Sequence, residues 1–331
     1  MPWLLALFLV ATGASQAATL FGDDGVLDIT FEGPISKAIN DTEKRRAYPF
    51  TLTVDGATLN VDVSVRGISR VVSCKFPPLR LDFSASDSAA TPFEGQRRLK
   101  LVTHCKKSAR YEQNVLEEYA AYRIFNVLSD VSFRVRLLRV QYVDSEKPDR
   151  EAVRRYAFLI ESKKALAERH DGSVLKTRRV TKNYLDEMQA GLAFVFQYLI
   201  GNTDWALVRA IGSELCCHNG VLVEVGGRHF YVPYDFDRSG IVNAGYAKPD
   251  PSLRIRKVTV RRYRGYCMAG NGVSNALRAV NGRRTEIDGV ITALEDSTDV
   301  DLQHASAYLG SFFEAASDEA GLLREFDRRC L

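Results

Sequence analysis

Gly201-Asn202-Thr203-Asp204-Trp205, then Cys217-His218-Asn219-Gly220, then Pro233-Tyr234-Asp235-Phe236-Asp237-Arg238-Ser239-Gly240 punctuate one stretch of the chain. Between these pieces the sequence reads as a helix end, a loop and a hairpin. The stretch concentrates hard oxygen donors, namely three carboxylates and an amide. Mg²⁺ prefers such donors and takes only one or two carboxylates, with phosphates and water completing its shell. An Asp, then an Asn, then a strand-end Asp is the order in which phosphoryl-transfer sites supply a base and their metal ligands. Phosphoryl transfer is therefore the leading expectation, with Asp204 as base and Asn219, Asp235 and Asp237 as metal-side residues.

Upstream of this stretch the pattern is that of a sheet. Leu27–Phe31, Phe50–Val54, Leu59–Val65, Leu79–Phe83 and Leu99–Val102 alternate with the period of two that marks half-buried strands. Asp55-Gly56 is a hairpin turn signal. Asn114–Leu128 has helical spacing, and Glu112, Glu117 and Glu118 stand where acids suit the start of a helix. Phe133–Val143 and Arg154–Glu161 return to strand. Beyond Lys163 helix dominates: Asn183–Ile200, then Asn275–Val280 with Glu286–Leu294, then Leu302–Phe326. A hairpin over 220–234 turns at Gly226-Gly227. The basic run from Arg254 to Arg264 reads as a solvated strand edge, with an acidic docking site as the sharper alternative.

The N-terminus bears on compartment. Trp3–Val10 is an apolar run too short to span a bilayer, and Ser15 and Ala17 stand at the −3 and −1 positions of a cleavage site. A leader over 1–17 is expected, with export to a secreted or periplasmic location and no membrane span. The net charge of +4 in 331 residues is too mild to imply nucleic acid. Six cysteines in an exported chain favour disulfides. Cys74 with Cys105 is the expected pair, while Cys216 and Cys217 are each expected to reach Cys267 or Cys330. A zinc site is disfavoured, because there is no C-x-x-C pair and the histidines lack helical ligand spacing.

The same pieces, in the same order, resemble the CotH kinase family of secreted and spore-coat proteins. Arg66-Gly67-Ile68-Ser69-Arg70, followed by Lys75 and Leu79–Phe83, resembles the family's Arg-Gly-Asn-Ser segment and the basic strand after it. Arg98–Leu101 resembles its next strand, the helix over Glu118–Leu128 its N-lobe helix, and Gly201–Asp204 with Tyr234–Asp237 its most specific motifs. The resemblance implies an α+β, atypical protein-kinase-like two-lobed fold. A β-rich N-lobe over 18–162 would carry one main helix, and 163–331 would form a mostly helical C-lobe. It also implies ATP with Mg²⁺ or Mn²⁺, and a protein hydroxyl as acceptor. Lys100 with Glu118 is the expected phosphate-holding pair, Arg80 with Glu117 its substitute, and Arg66 a further phosphate contact. Two features depart from the family pattern. Fifteen residues with two cysteines separate Asp204 from Asn219, and the Arg66 segment has a single glycine. These departures favour a binding module of pseudokinase type as the first rival. A metal-dependent hydrolase built on Asp204, Asp235 and Asp237 is the second.

Overall fold

Strand β1 (Leu27–Gly33) runs into a short helix α1 (Ile35–Asn40) and a hairpin of β2 (Tyr48–Val54) and β3 (Ala57–Val65). The hairpin turns at Asp55-Gly56, as its sequence requires. A short helix α2 (Ser69–Ser73) precedes β4 (Leu79–Phe83) and β5 (Arg98–Val102), followed by helix α3 (Ala109–Leu128), β6 (Val135–Asp144) and β7 (Val153–Ile160). Then come α4 (Lys163–Glu168), β8 (Ser173–Val174), α5 (Glu187–Leu199) and the hairpin of β9 (Gly220–Val225) and β10 (Arg228–Pro233). The tail forms α6 (Gly272–Gly282), α7 (Arg284–Thr298), α8 (Gln303–Ala316) and α9 (Glu319–Asp327). The structure is a computed structural model that describes residues 20–207, 216–268 and 270–331. The expected leader over 1–17 lies outside the described residues.

The seven N-terminal strands close into a barrel in the order β1-β2-β3-β4-β5-β7-β6. The expected kinase-like two-lobed fold, with one main helix in an open β-rich lobe, is therefore wrong. Closure depends on β1, which pairs antiparallel with β2 on one side and parallel with β6 on the other. That second pairing joins segments more than a hundred positions apart and leaves no unpaired edge. Every barrel strand contributes alternate residues to one apolar cluster, among them Ile29, Phe31, Leu52, Val63, Leu81, Leu101, Val140 and Leu159. This cluster fills the barrel, as expected when few strands leave room only for side chains.

A second apolar core lies outside the barrel and is continuous from α3 to the tail helices. Val135, Leu137, Phe158 and Ile160 face outward from β6 and β7 into it. Helix α3 is buried nearly all round, because the barrel wall covers one side and the C-terminal helices cover the other. It starts at Ala109, so Glu117 and Glu118 stand in mid-helix, buried, rather than at its positive end. The expected single tail helix over Leu302–Phe326 is two, since the Asp318 side chain accepts from the Gly321 N–H and starts α9 anew.

Three disulfides form. Cys74–Cys105 is the expected pair. Cys216 and Cys217 are bonded to each other, contrary to expectation, and the peptide between them is cis. Cys267 takes Cys330 because the C-terminus returns to it: Leu331 N–H donates to the Gly265 carbonyl and Cys267 N–H to that of Leu331, at 2.9 and 3.1 Å. No helix among the described residues is long and apolar enough to cross a membrane.

Phe31 tests the closure. It is 1% exposed, stacks on Phe50 at 4.7 Å and meets Tyr142 of β6 edge-on at 6.2 Å. Phe31→Ala is expected to cost about 3–5 kcal/mol in urea unfolding, against less than about 0.5 kcal/mol for Val72→Ala on the exposed face of α2. Similar losses for the two variants would contradict a packed barrel interior.

Candidate active site

The Gly201–Asp204 segment is built by the end of α5. Gly201 adopts φ +64°, its N–H donates to the Tyr198 carbonyl, and Asn202 N–H reaches back to that of Gln197. This is the left-handed termination that glycine favours after a helix. Asn202 then turns the chain again: its side-chain oxygen accepts from Asp204 N–H at 3.0 Å, and its carbonyl accepts from the Trp205 indole at 3.0 Å. Asp204 is thereby placed at a fixed step beyond α5.

The other end of the motif stretch is pinned to the same place. Gly240 N–H donates to the Gly201 carbonyl and Ile241 N–H to that of Ile200, at 3.1 and 3.0 Å. The Tyr308 hydroxyl packs against both glycines so closely that a Cβ on either would lie within about 2 Å of it. The two glycines that bound the motif in sequence thus meet at one tyrosine.

Between them, β9 and β10 form a hairpin with Gly226 and Gly227 both at positive φ, as a two-residue turn requires. At its open end Tyr234 N–H donates to the Asn219 carbonyl at 3.1 Å. Asn219 (φ +52°) and Asp235 (φ +67°) therefore stand next to each other at the base of the hairpin, both in the left-handed region that few non-glycine residues occupy. Asn219 Nδ2 donates to the Asp204 carbonyl at 2.6 Å and to Asp204 Oδ2 at 3.3 Å. His218 Nε2 lies 3.3 Å from Asp204 Oδ1, and Arg238 Nη1 lies 3.8 Å from Oδ2. Burial raises the Asp204 carboxyl, but the hydrogen bond and charge of His218, with Arg238 and Arg264, outweigh it and leave the group below its ordinary value. A cleft of about 300 Å³ opens on this side, lined by Asp204, Trp205, His218, Arg238, Lys248 and Arg264 among others.

Asp235 and Asp237 are not in the lining of that cleft. They turn toward α3 and the barrel. Asp235 N–H donates to the Tyr122 hydroxyl of α3 at 2.9 Å, and Phe236 packs on the Tyr122 ring at 4.6 Å. Asp237 is 3% exposed and accepts from the Tyr246 hydroxyl at 2.9 Å. Burial, then the Asp235 charge, pushes its carboxyl up to about 6. Glu118 is pushed well above the carboxylate range by burial, with Asp237 and Asp235 adding to the effect and Arg70 opposing it.

The partner of Glu118 is not Lys100. Arg70 of α2 reaches Glu118 Oε2 at 3.3 Å and donates to the Thr103 carbonyl at 2.6 Å. Lys100, on the outer face of β5, instead lies 4.8 Å from the centre of the Tyr234 ring, and Lys163 flanks the same ring at 4.7 Å. Lys100 still senses Arg66, Lys163 and Asp235 electrostatically. The substitute pair fails as well. Arg80 bonds Asp82 at 2.7 Å on the barrel surface, and Glu117 takes Arg110 at 2.7 Å.

Sequence reading missed Arg70, His218, Tyr122, Tyr246 and Arg238. Arg70 stood inside the quoted Arg66–Arg70 segment, and His218 stood beside Asn219. Arg238 stood beside Asp237 in the quoted Pro233–Gly240 segment, and Tyr122 and Tyr246 carry no local signal. The basic run was also misread. Instead of a strand edge, Arg261 donates to the Leu199 carbonyl at 3.2 Å, and Arg264 donates to that of Thr203, so both brace the Gly201 turn.

Among the described residues, no group of three or more His, Cys, Asp or Glu side chains is arranged to hold a metal ion by itself. Asp235 and Asp237 supply two oxygen-donor groups, the number Mg²⁺ takes when phosphate and water complete its shell. Buried Glu118 Oε1 has no hydrogen-bond partner. No family model matches the chain, and no curated protein does either.

Lys100 provides a test of these electrostatics. Its ammonium is pushed down to about 8 from 10.5 by burial, then by Arg66 and Lys163, with Asp235 opposing. The native state therefore sheds this proton before the unfolded state does, so the penalty is full below pH 8 and is relieved as pH rises toward 10.5. Lys100→Met is expected to be more stable than wild type at pH 7 by on the order of 1–3 kcal/mol. The gain should shrink when urea unfolding is repeated at pH 8.5 and 10. A gain that stays constant across that range would defeat the assignment.

Proposed function

We propose that the chain is a phosphotransferase that uses ATP with Mg²⁺ or Mn²⁺ to modify a protein hydroxyl, built on a closed barrel and a helical layer. One observation carries the reading: the Gly240-to-Gly201 backbone pairing joins Asp204 and Asn219 to the Asp235-Phe236-Asp237 strand end. Asp204, held ionised by His218 and Arg238, is suited to orient an acceptor hydroxyl and take its proton. Asp235 and Asp237 would hold the cation. Asn219 would add its amide oxygen, since its nitrogen is engaged by Asp204. Lys100 and Arg66, on the barrel side of Asp235, are the cations available to phosphate oxygens. Metal–nucleotide, when bound, supplies the phosphoryl group and the countercharge for it. The three disulfides fit an oxidising compartment, so the acceptor is sought among exported proteins.

A binding module without turnover is the second reading. The Asp204 carboxylate already meets Asn219, His218 and Arg238, which would leave it less free to act as a base.

Thermal unfolding with ATP plus Mg²⁺ at 100 times Kd should show about 2.7 kcal/mol of added stability. Asp235→Asn should abolish that gain. Asp204→Asn should keep it while lowering phosphate transfer to casein by about 10²–10⁴-fold. Nucleotide binding with no transfer by wild type would select the binding module, and absence of any stabilisation by ATP with Mg²⁺ or Mn²⁺ would overturn both readings.

A further inference from the structure

Lys163 has no role in the chemistry set out above, yet it stands at the edge of the site. It is the first residue of α4, and its ammonium donates to the Tyr234 hydroxyl at 3.2 Å and lies 4.7 Å from the centre of that ring. Lys100, from β5, places its own ammonium 4.8 Å from the same ring centre. Arg66, just past β3, is close enough for its charge to act on Lys100, as that of Lys163 does. Three cations from three separate parts of the chain thus gather round one tyrosine.

Gathering them is unfavourable in the absence of an anion. Like charges at short range repel, and Lys100 is already held down to about 8 by burial and by its two cationic neighbours, with Asp235 opposing. Other basic residues nearby are neutralised by acids on their own elements. Arg80 takes Asp82, and Lys164, next to Lys163, takes Glu168. Among the described residues, Arg66, Lys100 and Lys163 have no carboxylate within ion-pair distance. All three, and Tyr234, are only partly buried, so they remain open to a dissolved ligand.

We propose that Lys163 joins Lys100 and Arg66 in a metal-independent site for the phosphate groups of an anionic ligand, with Tyr234 holding the Lys163 ammonium in place. An arginine can grip two phosphate oxygens side by side, while the ammoniums act as point charges. A phosphate group carries about 1.5–2 negative charges at neutral pH, so it offsets a cluster of cations better than a carboxylate does. That the phosphates belong to a nucleotide rests on the proposed function; the anion site does not.

The test is calorimetry on the full chain with inorganic pyrophosphate as probe, in EDTA. Wild type should bind, and Lys163→Met should weaken binding about tenfold or more, since a charge-assisted contact is lost. Lys163→Arg should restore most of the affinity, and Lys164→Met should change it less than about twofold, with thermal unfolding curves confirming that each variant folds. ATP with Mg²⁺ should displace the pyrophosphate. Binding that depends on Lys163 but resists ATP would keep the anion site and count against the proposed function alone. No binding at millimolar pyrophosphate, equal losses in Lys163→Met and Lys164→Met, or no rescue by Lys163→Arg would each overturn the site.

Discussion

Arg70 is a guanidinium with 7% exposure that sits among three carboxylates, and the rest of the candidate site depends on it. Glu118 comes from α3, Asp235 and Asp237 come from the end of β10, and Arg70 comes from the short helix that follows β3. Three distant parts of the chain are thus drawn to one buried cation. A charge removed from water costs several kcal/mol unless it is paired and hydrogen-bonded, so such a group organises whatever surrounds it. One cation faces three acids, and burial first, with the neighbouring acid charges adding to it, pushes the Glu118 and Asp237 carboxyls upward.

The frame around Arg70 is rigid for identifiable reasons. Cys74–Cys105 ties the end of α2 to the segment after β5, and Phe76 N–H adds a backbone bond to the Cys105 carbonyl at 2.9 Å. Helix α3 is held between barrel wall and tail helices, and its Tyr122 takes the Asp235 N–H while supporting Phe236. On the far side, Tyr308 wedges between Gly201 and Gly240, with Arg261 and Arg264 bracing the Gly201 turn. Preorganisation of this kind is what electrostatic catalysis and tight ligand binding both require.

Much of the local structure was legible. Alternation located five of the barrel strands, the other two were read as a return to strand after α3, Asp55-Gly56 and Gly226-Gly227 fixed two hairpins, and Gly201-Asn202 announced the end of α5. What could not be read was which strands meet. The parallel pairing of β1 with β6 leaves no turn signal, because more than a hundred residues intervene, and without it an open kinase-like lobe fits the same strand list. The site divides in the same way. Asp204 and Asn219 stand in compact motifs and meet through local turns, whereas Asp235 and Asp237, past the end of the same hairpin, turn away toward α3 and the barrel. The cation for Glu118 could be chosen only from strand position, which suggested Lys100. The short helix α2, five residues without an apolar period, instead turns Arg70 inward. Cys216 and Cys217 were misassigned because the return of the tail to Cys267 is a tertiary event with no local signature.

The most direct test of the central claim is a double-mutant cycle on Arg70 and Glu118, read by urea unfolding at pH 7. Arg70→Met alone should lose about 3–5 kcal/mol, because it leaves three clustered carboxylates without their buried counterion. Glu118→Gln introduced into that background should restore a large part of the loss, giving a coupling energy above about 1 kcal/mol. Strictly additive effects, or an Arg70→Met loss within the range of a surface substitution, would contradict the view that this one cation gathers the barrel, α3 and the strand-end acids into a site.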